Sequence, residues 1–589
     1  MQRQKIAALI LAAGYSSRMG EFKPLLPLAR SHALGEAVGR FREAGIADIT
    51  VVMGHRSEEL APVLDSLGVK RVYNDRYDSG MLSSVLAGVR SLGPRVEAFF
   101  LLPVDTPLFR ASTIEALLRA RERTGAPVVY PRCDGERGHP PLIAAAAVRD
   151  LPPPDLAGGF RAFLDRFGDA AVDVDVTDRG TVMDFDTPED YARIRAYASR
   201  GNIPSREECR SLWSRFGVQG EVVAHCEAVA EFARILAIRL NRAGLKLDIR
   251  LVVAAGLLHD IARDRPDHAS AGARALERAG YPRVARIVAL HMDKGSPGSS
   301  SVDETDLVYL ADKCVREDSP VSLRERFGNA FERFASRPGV LDEVRRRLRE
   351  AESIRGRLEG ILGESLESLL QRHARSIRSA AAGGPRDIYL VRHGEMLQQG
   401  RDRRYIGQVD LPLSREGVRQ AESLGRALET VRFSAIYCSD LARSVDTARI
   451  VAEPHCLEPV AREDLREIAL GEWEGLAFGE VASRYPEEFE ERGRDIVHFR
   501  PPGGESFLDC TRRVLAAFYE ILRAHRGNLL VVGHAGVNRI LLCQAMGISC
   551  DRLFEIPQDY GCLNVIGVED SRWEVRMLNG SPGRNGTAH

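Results

Sequence analysis

The sequence is poor in three features that would each point to a particular class of protein. Its ten cysteines include no Cys-x-x-Cys pair, which argues against a zinc ribbon or disulfide framework and favours reduced thiols in the cytoplasm. Its net charge of −1 argues against a nucleic-acid or membrane-surface partner held by a bulk electrostatic field. No apolar run reaches the roughly 18 residues of a membrane span, and the residues after Met1 show no signal-peptide pattern. We therefore predict a cytoplasmic globular protein and leave its oligomeric state open.

Strand-like and helical patterns divide the 589 residues into three segments, as a chain too long for one hydrophobic core requires. In residues 1–198, apolar runs such as Ile6–Ala12 alternate with helical stretches, which predicts a Rossmann-like α/β domain whose parallel sheet is covered on both faces. Residues 205–380 show helical spacing throughout and predict an all-α domain. After a small-residue linker, residues 386–578 predict a second α/β domain, and we expect residues 579–589 to be a disordered tail.

A loop rich in glycine and serine follows the first predicted strand. It contains Gly14, Ser16 and Arg18 and leads to Lys23. The backbone N–H groups of such a loop bind polyphosphate. Arg18 and Lys23 would stabilise the negative charge that builds up on a pyrophosphate leaving group. The sequence therefore predicts a nucleotide-phosphate site at the end of this strand.

Later loops add carboxylates and further polar groups. Asp105 follows a predicted strand, Asp184 and Asp186 lie in a late acidic motif, and Gly80 and Ser83 lie in an intervening loop. Carboxylate oxygens are suitable Mg²⁺ ligands, so these aspartates are candidates to hold that ion.

Together these motifs resemble the MobA-like nucleotidyltransferases of the molybdenum-cofactor type over most of residues 1–198. The resemblance implies an Mg²⁺-dependent transfer from CTP, ATP or GTP to a phosphorylated acceptor, with a molybdopterin-type acceptor preferred and the nucleobase open. It implies nucleotide contacts by Gly14, Ser16, Arg18, Lys23, Gly80, Ser83 and Asp105, and Mg²⁺ ligation by Asp105, Asp184 and Asp186.

Histidines and aspartates recur among apolar residues of the helical segment. His225 lies near the start of one predicted helix, His259 and Asp260 lie on a second over residues 249–262, and Asp312 comes later. Such groups beside an apolar run are costly unless they are satisfied. Metal coordination satisfies them, and imidazoles with carboxylates suit iron, manganese or zinc.

The order His, His-Asp, Asp resembles the HD phosphohydrolase superfamily. The resemblance implies His225, His259, Asp260 and Asp312 as metal ligands, with His291 and also His268 as candidates for a second metal. Met292 follows His291 where some relatives have another histidine, so one metal or two stays open. Whether this segment hydrolyses a substrate or senses a nucleotide also stays open.

Two strand-like runs in the third segment each end in a histidine. His393 follows Arg392 at the end of one run, His534 ends the other, and Arg443 and Glu467 lie between them. Imidazole forms a phosphoramidate that hydrolyses readily, and arginines bind phosphate oxygens through charge-assisted hydrogen bonds. The pattern predicts a phosphate-transfer pocket.

This pattern resembles the histidine phosphatase superfamily with its phosphoglycerate-mutase-like fold, in the branch containing α-ribazole phosphatase. The resemblance implies His393 as the nucleophile, Arg392, Arg443 and His534 as phosphate contacts, and Glu467 as the general acid. Met396 stands where the family often has Thr or Ser, and Gln399 stands where it often has Asn. These two differences leave the substrate open. We expect a phosphatase, because a mutase must hold and return its phosphoryl group.

The sequence as a whole therefore predicts three activities on one chain, linked by cofactor nucleotide chemistry. Two cofactor routes stay open. The first segment favours molybdopterin, whereas the third favours the lower ligand of cobalamin, for which guanylyl transfer and ribazole-phosphate hydrolysis are neighbouring steps.

Overall fold

The computed structural model describes residues 5–148, 156, 158–294, 301–381, 386–397, 403–569 and 572–581. The chain forms two compact units, Met1–Cys226 with Ala254–Ser296 and Glu227–Val253 with Pro297–His589. This division runs inside the predicted 205–380 segment, and the predicted domain boundaries stay a prediction. All ten cysteines are free thiols. Among the described helices, none has both the length and the apolar character needed to cross a membrane.

The N-terminal segment is built from alternating strands and helices. Its strands are β1 Ile6–Ala12, β2 Pro27–Leu28, β3 Ser31–His32, β4 Asp48–Met53, β5 Lys70–Tyr73, β6 Ala98–Pro103, β7 Val128–Cys133, β8 Glu136–Arg137, β9 Leu142–Ala144 and β10 Val172–Asp175. Its helices are α1 Ala33–Glu43, α2 Ser57–Leu67, α3 Met81–Arg90, α4 Ala111–Thr124, α5 Gly159–Asp165 and α6 Pro188–Ala198.

The main sheet of this segment has the order β10-β7-β9-β6-β1-β4-β5, with β8 paired to β7. β1 runs parallel to β4 and β6, but β9 runs antiparallel to β6 and β7. The prediction of a parallel sheet therefore holds for β1, β4, β5 and β6 and is wrong for β9, and the sheet as a whole is mixed. The cause is the two-residue turn Asp134-Gly135, both at positive φ, which reverses the chain in a tight hairpin.

Both faces of this sheet are buried, as predicted. Alternate residues of β1 belong to different apolar clusters, Ile10 to one and Leu9 and Leu11 to the other. α1 and α4 cover the first face, and α3 and α5 cover the second. Because β1 has neighbours on both sides that follow it in sequence, its C-terminal end lies at a topological switch point, where ligands bind in sheets of this type.

The middle segment is helical apart from one short hairpin. Its helices are α7 Arg206–Phe216, α8 Gly220–Arg242, α9 Ile249–Leu258, α10 His268–Arg278, α11 Pro282–Leu290, α12 Glu304–Lys313, α13 Leu323–Arg333, α14 Pro338–Leu362 and α15 Leu366–Ala381. The hairpin pairs β11 Val315–Arg316 with β12 Ser319–Pro320, so the all-α expectation needs this small correction.

The first and middle segments share a buried ionic cluster centred on Arg110. Its Nη2 lies 2.6 Å from Glu208 Oε1, and its Nη1 lies 3.2 Å from Asp178 Oδ1. The guanidinium carbon lies 4.6 Å from the ring centroid of Tyr281. All three charged side chains are almost fully buried, so each depends on the others for compensation of its charge.

Removing Arg110 is expected to destabilise the N-terminal compact unit strongly. Arg110→Ala leaves Asp178 and Glu208 buried without a counter-charge, which costs about 3–5 kcal/mol. Thermal and urea unfolding of the full chain measure the loss. Arg119→Ala is the matched control, since Arg119 lies on α4, which begins directly after Arg110, and its side chain is 57% exposed. A change within about 0.5 kcal/mol is expected. Equal effects of the two substitutions would contradict the account.

The C-terminal segment is a second α/β structure. Its strands are β13 Arg386–Arg392, β14 Ala435–Ser439, β15 Val460–Arg462, β16 Leu529–Gly533, β17 Leu563–Glu569 and β18 Arg572–Gly580. Its helices are α16 Arg415–Leu428, α17 Ala442–Ala452, α18 Phe478–Arg484, α19 Pro486–Arg494, α20 Phe507–Ala524 and α21 Ala535–Met546.

These strands form one sheet in the order β15-β14-β16-β13-β17-β18. β17 runs antiparallel to β13, and β18 runs antiparallel to β17. β18 extends to Gly580 because Asn579 bonds through its backbone N–H to Asn564 Oδ1 at 2.8 Å. The predicted tail therefore begins two residues too early, and residues 582–589 lie outside the described part of the chain. Most of the predicted linker, residues 382–385, lies outside it too.

Candidate functional site

Two neighbouring parallel strands of the C-terminal sheet place two histidines side by side. β13 pairs with β16 so that Arg392 lies opposite Gly533, and the next residue in each strand direction is a histidine. The backbone N–H of His393 donates to the carbonyl of Gly533 at 3.1 Å. The imidazole centroids of His393 and His534 are 5.1 Å apart. The structure thus brings together the two histidines that the sequence singles out.

The environment of His393 keeps its ring neutral with one nitrogen available. Its Nδ1 lies 2.7 Å from the carbonyl oxygen of Gly394, which only accepts, so Nδ1 carries the proton and Nε2 keeps the lone pair. Burial lowers the pKa of His393 well below its ordinary value, and the charges of Arg443 and Arg392 add to the effect. Burial and the same arginines also lower the pKa of His534. A neutral imidazole is the form that attacks phosphorus.

Two arginines lie beside these rings with their charge available. Arg443, near the start of α17, donates to the carbonyls of Val409 at 2.8 Å and Gly407 at 2.6 Å. The guanidinium carbon of Arg392 lies 3.8 Å from the ring centroid of Tyr560. Among the described residues, neither arginine forms an ion pair with a carboxylate. Both guanidinium groups are held in place by neutral partners and can bind an anion.

Glu467 faces the same cavity as a buried carboxylate. Its Oε2 accepts from the backbone N–H of Gly536 at 3.0 Å, and its Oε1 accepts from its neighbour Ile468 at 3.1 Å. A Cβ at position 536 would come within 2.5 Å of Glu467 Oε1, so glycine permits this approach. Arg392, His393, Arg443 and Glu467 all line a cavity of about 840 Å³. His534 is fully buried and is not among the lining residues.

Glu474, to which the sequence pattern assigned no role, fixes the loop to which Arg443 is hydrogen-bonded. Its carboxylate accepts from the backbone N–H groups of Gly407 at 3.1 Å, Gln408 at 2.7 Å and Leu470 at 3.1 Å. The carbonyl of Gly407 in turn accepts from Arg443. Glu474 lies in the Gly-Glu-Trp-Glu-Gly motif that follows Glu467, so the signal was present but received no role.

Of the two positions that depart from the family pattern, only Met396 lies among the described residues. Met396 is buried, lines the cavity and pairs through its backbone with Leu413. It therefore presents an apolar side chain to the cavity at a position where the family often has the hydroxyl of Thr or Ser. Gln399 lies outside the described residues.

In the middle segment, four histidines surround the carboxylate of Asp260. Its Oδ2 lies 4.0 Å from His225 Nε2 and 3.6 Å from His259 Nε2. Its Oδ1 lies 3.6 Å from His268 Nε2 and 3.5 Å from His291 Nε2. Asp260 thus belongs to two groups of three side chains, each compact enough to hold one metal ion. Each group could hold one metal ion, with Asp260 common to both.

The orientation of two of these rings fits metal ligation. Nδ1 of His259 lies 2.8 Å from the carbonyl of Gly256, and Nδ1 of His291 lies 2.7 Å from that of Val288. Each carbonyl accepts a hydrogen bond from Nδ1–H, so the lone pair lies on Nε2, which faces Asp260. A second hydrogen-bond partner of this kind is typical of metal-binding histidines. Neutral imidazoles with a carboxylate suit iron, manganese or zinc.

The helix positions predicted for these ligands need correction. α9 ends at Leu258, so His259 and Asp260 lie in the turn after it and not on a helix over residues 249–262. The side chain of His259 donates a hydrogen bond to the carbonyl of Gly256 in the last helical turn. This hydrogen bond competes with the backbone hydrogen bond that would continue the helix. Asp312 is buried in α12 with its Oδ2 2.7 Å from Lys313 Nζ. Its role as a ligand stays a prediction.

At the ends of β1 and β6 lies a second cavity, of about 280 Å³. Its lining includes Gly14, Ser16, Lys23, Gly80 and Asp105. Five of the predicted nucleotide contacts therefore share one cavity at the topological switch point of the sheet.

A lysine lies between two carboxylates beside this cavity. Lys23 Nζ lies 3.3 Å from Asp105 Oδ2 and 2.5 Å from Asp186 Oδ1, and Arg18 Nη1 lies 2.8 Å from Asp186 Oδ2. Burial raises the pKa of Asp105, and the charges of Asp184 and Asp186 raise it further while Lys23 opposes them. The hydrogen bond from Lys23 holds the pKa of Asp186 below its ordinary value. Carboxylates crowded in this way fit a site for a hard cation such as Mg²⁺.

Two of the predicted nucleotide contacts do not line the cavity. The side chain of Arg18 is 76% exposed and paired with Asp186. Ser83 is buried, and its hydroxyl donates to the carbonyl of Gly80 at 2.8 Å. Its neighbour Ser84 lines the cavity in its place, a difference of one residue on a helix face that the sequence pattern did not resolve.

Comparison with known proteins gives the same three parts. Residues 8–171 match the family model of the MobA-like NTP transferase domain, residues 222–317 that of the HD domain, and residues 388–581 that of the histidine phosphatase superfamily (branch 1).

Relatives of known name match the third part. It is 31% identical over 195 residues to the adenosylcobalamin/alpha-ribazole phosphatase of Escherichia coli (strain K12), which covers 33% of this chain and 95% of that protein. It is 31% identical over 193 residues to phosphoserine phosphatase 1 of Hydrogenobacter thermophilus, covering 33% of this chain and 91% of that protein. A crystal structure of the alpha-ribazole phosphatase from Shigella flexneri is similar at 29% identity and a TM-score of 0.31, covering 33% of this chain and 96% of the other.

Proposed function

Because the chain belongs to the histidine phosphatase superfamily and also carries a MobA-like NTP transferase domain and an HD domain, we propose that it combines three activities in the nucleotide chemistry of one cofactor. The domains are those of a transferase and a hydrolase. The substrates, the metals and the roles of individual residues are the proposed part.

The phosphatase is the activity that the geometry supports best. Nε2 of His393 attacks phosphorus, so that a P–N bond forms as the P–O bond to the leaving group breaks. Arg392 and Arg443 bind the phosphoryl oxygens. Glu467 protonates the leaving oxygen and then takes a proton from the water that cleaves the P–N bond. The observation that carries this proposal is the bond from His393 Nδ1 to the carbonyl of Gly394, which fixes the lone pair on Nε2.

The proposed substrate of this domain is a ring-bearing phosphomonoester of the α-ribazole phosphate type. The relative whose name includes alpha-ribazole phosphatase matches nearly the whole of this part. The cavity is much larger than a phosphate group and has aromatic walls, including Tyr405, Phe478 and Phe554. Phosphate release from α-ribazole phosphate, compared with release from p-nitrophenyl phosphate, tests this choice. A clear preference for the aryl phosphate would oppose it.

The N-terminal domain is proposed to transfer a nucleotidyl group to a phosphorylated cofactor precursor. The motif pattern favours a molybdopterin-type acceptor. A cobinamide phosphate is the second candidate, favoured by the cobalamin-related phosphatase that the third part resembles. Offering CTP, ATP and GTP in turn with each acceptor, and measuring pyrophosphate release, decides between them. Release with neither acceptor would reject both.

The HD domain is proposed to hold one or two transition-metal ions and to hydrolyse a phosphate ester. His225 and His259 would hold one ion and His268 and His291 the other, with Asp260 shared. A metal of this kind supplies an activated water for hydrolysis. The alternative is a nucleotide sensor, which would hold metal and bind nucleotide without turnover.

Replacing Asp260 is expected to remove most of the bound metal. Asp260→Ala deletes the one carboxylate that faces all four histidines, so neither group of three ligands remains complete. Elemental analysis of the purified full chain measures iron, manganese and zinc. Asp264→Ala, at an exposed aspartate one turn later, is the control and should keep the wild-type content. Equal metal content in the two variants would contradict the proposed site.

A further inference from the structure

The cavity beside His393 carries more positive charge than hydrolysis of a simple monoester requires. Its lining includes six arginines but only two acidic residues, Glu395 and Glu467. Arg392 and Arg443 are used on the phosphoryl group. Of the other four, Arg404 is paired with Glu480, and Arg403, Arg492 and Arg539 give the cavity an excess of positive charge.

Two of these arginines flank one exposed aromatic ring. The guanidinium carbon of Arg539 lies 5.3 Å from the ring centroid of Phe554, and that of Arg492 lies 5.8 Å from it. Arg492 also lies 5.4 Å from the ring centroid of Tyr405. Phe554 is 51% exposed although it lines the cavity. A large exposed ring between two cations is suited to stack on a planar group.

The charge on these two arginines is not neutralised within the protein. Among the described residues, neither Arg492 nor Arg539 forms an ion pair with a carboxylate. The Nε of Arg539 donates to the carbonyl of Ile556 at 2.8 Å, which fixes the side chain but adds no negative charge. Burial lowers the pKa of both guanidinium groups, and the charge of Arg392 also lowers that of Arg539. An anion bound here would offset the cost of these partly buried charges.

We propose that Arg492, Arg539 and Phe554 form a second anion subsite, selecting a substrate whose leaving group carries a planar ring and a second anionic group. A nucleotide with phosphates at two positions has this chemistry. The inference rests on the proposed phosphatase activity. It changes the expected substrate, because the leaving group of α-ribazole phosphate carries no second anion and would leave Arg492 and Arg539 unused.

Three substrates test the subsite in the full-length protein. p-Nitrophenyl phosphate reports phosphatase chemistry, AMP adds a nucleoside, and adenosine 3′,5′-bisphosphate adds a second anion. The expected kcat/KM for the bisphosphate exceeds that for AMP by about tenfold or more, since one charge-assisted hydrogen bond has this effect. Arg492→Gln and Arg539→Gln each remove most of the preference and leave turnover of p-nitrophenyl phosphate within about twofold.

Arg494→Gln is the matched control. Arg494 lies two residues after Arg492 on α19, with its side chain 77% exposed and paired with Glu490, and the preference should persist in this variant. Equal kcat/KM for AMP and the bisphosphate, with p-nitrophenyl phosphate still hydrolysed, would overturn the subsite and leave the phosphatase assignment intact. If phosphate were released from none of the three substrates, the phosphatase function would be rejected and the subsite with it.

Discussion

Replacing His393 with alanine is expected to abolish phosphate release from p-nitrophenyl phosphate, a fall on the order of 10⁴-fold or more, as for other catalytic nucleophiles. The reason is that Nε2 of His393 is the atom that becomes bonded to phosphorus. Neither Arg392 nor Arg443 can take its place, because a protonated guanidinium has no lone pair to offer. Continuous measurement of nitrophenolate release by the full chain gives the rate.

His498→Ala is the matched control for this substitution. His498 lies in the same part of the chain, with its side chain 67% exposed and paired with Asp495, and its loss should leave the rate unchanged. Pyrophosphate release by the N-terminal domain should survive both substitutions. Normal aryl phosphate turnover in His393→Ala would show that another residue forms the bond to phosphorus.

The second large effect is expected at Asp105. Asp105→Ala should lower Mg²⁺-dependent pyrophosphate release by about 10³-fold, since loss of a metal ligand removes several kcal/mol of stabilisation. The physical reason is that burial raises the pKa of Asp105, with a further contribution from the charges of Asp184 and Asp186, so a bound Mg²⁺ would stabilise the charged carboxylate. Mg²⁺-dependent binding of NTP, followed by calorimetry, should weaken in parallel and needs no acceptor.

Asp65→Ala controls for general effects of losing an aspartate. Asp65 lies in α2 with its side chain 66% exposed and paired with Arg71, so both readouts should stay at wild-type levels. If Asp105→Ala bound NTP with the same dependence on Mg²⁺ as the wild type, the proposed metal site would have to lie elsewhere.

The three candidate sites could be proposed from sequence because each includes residues that follow an apolar run directly. His393 and His534 end two such runs, and parallel pairing brings strand ends together. For the same reason, Gly14 and Asp105 are expected at one cavity. The full strand order is not needed for this prediction, because it requires only that the two strands lie side by side and parallel.

Other features depend on contacts between residues far apart in sequence. The partners of Arg110 include Asp178 and Glu208, and no local pattern marks any of them as buried. Arg492 appears in the sequence as one charge in a polar helix, and only the fold turns it toward the phosphatase cavity. The mixed sheet had a local signal in Asp134-Gly135, a tight hairpin turn that the apolar pattern alone did not include.

The proposed phosphatase reaction depends most directly on one covalent bond, between Nε2 of His393 and phosphorus. The full-length protein, mixed briefly with p-nitrophenyl phosphate and quenched at alkaline pH to preserve phosphohistidine, can be digested and analysed by mass spectrometry. The account predicts one phosphoryl group on the peptide containing His393, and a larger amount in Glu467→Gln, where hydrolysis of the intermediate is slowed. Rapid phosphate release without phosphoryl on His393, or with phosphoryl on another residue, would contradict it.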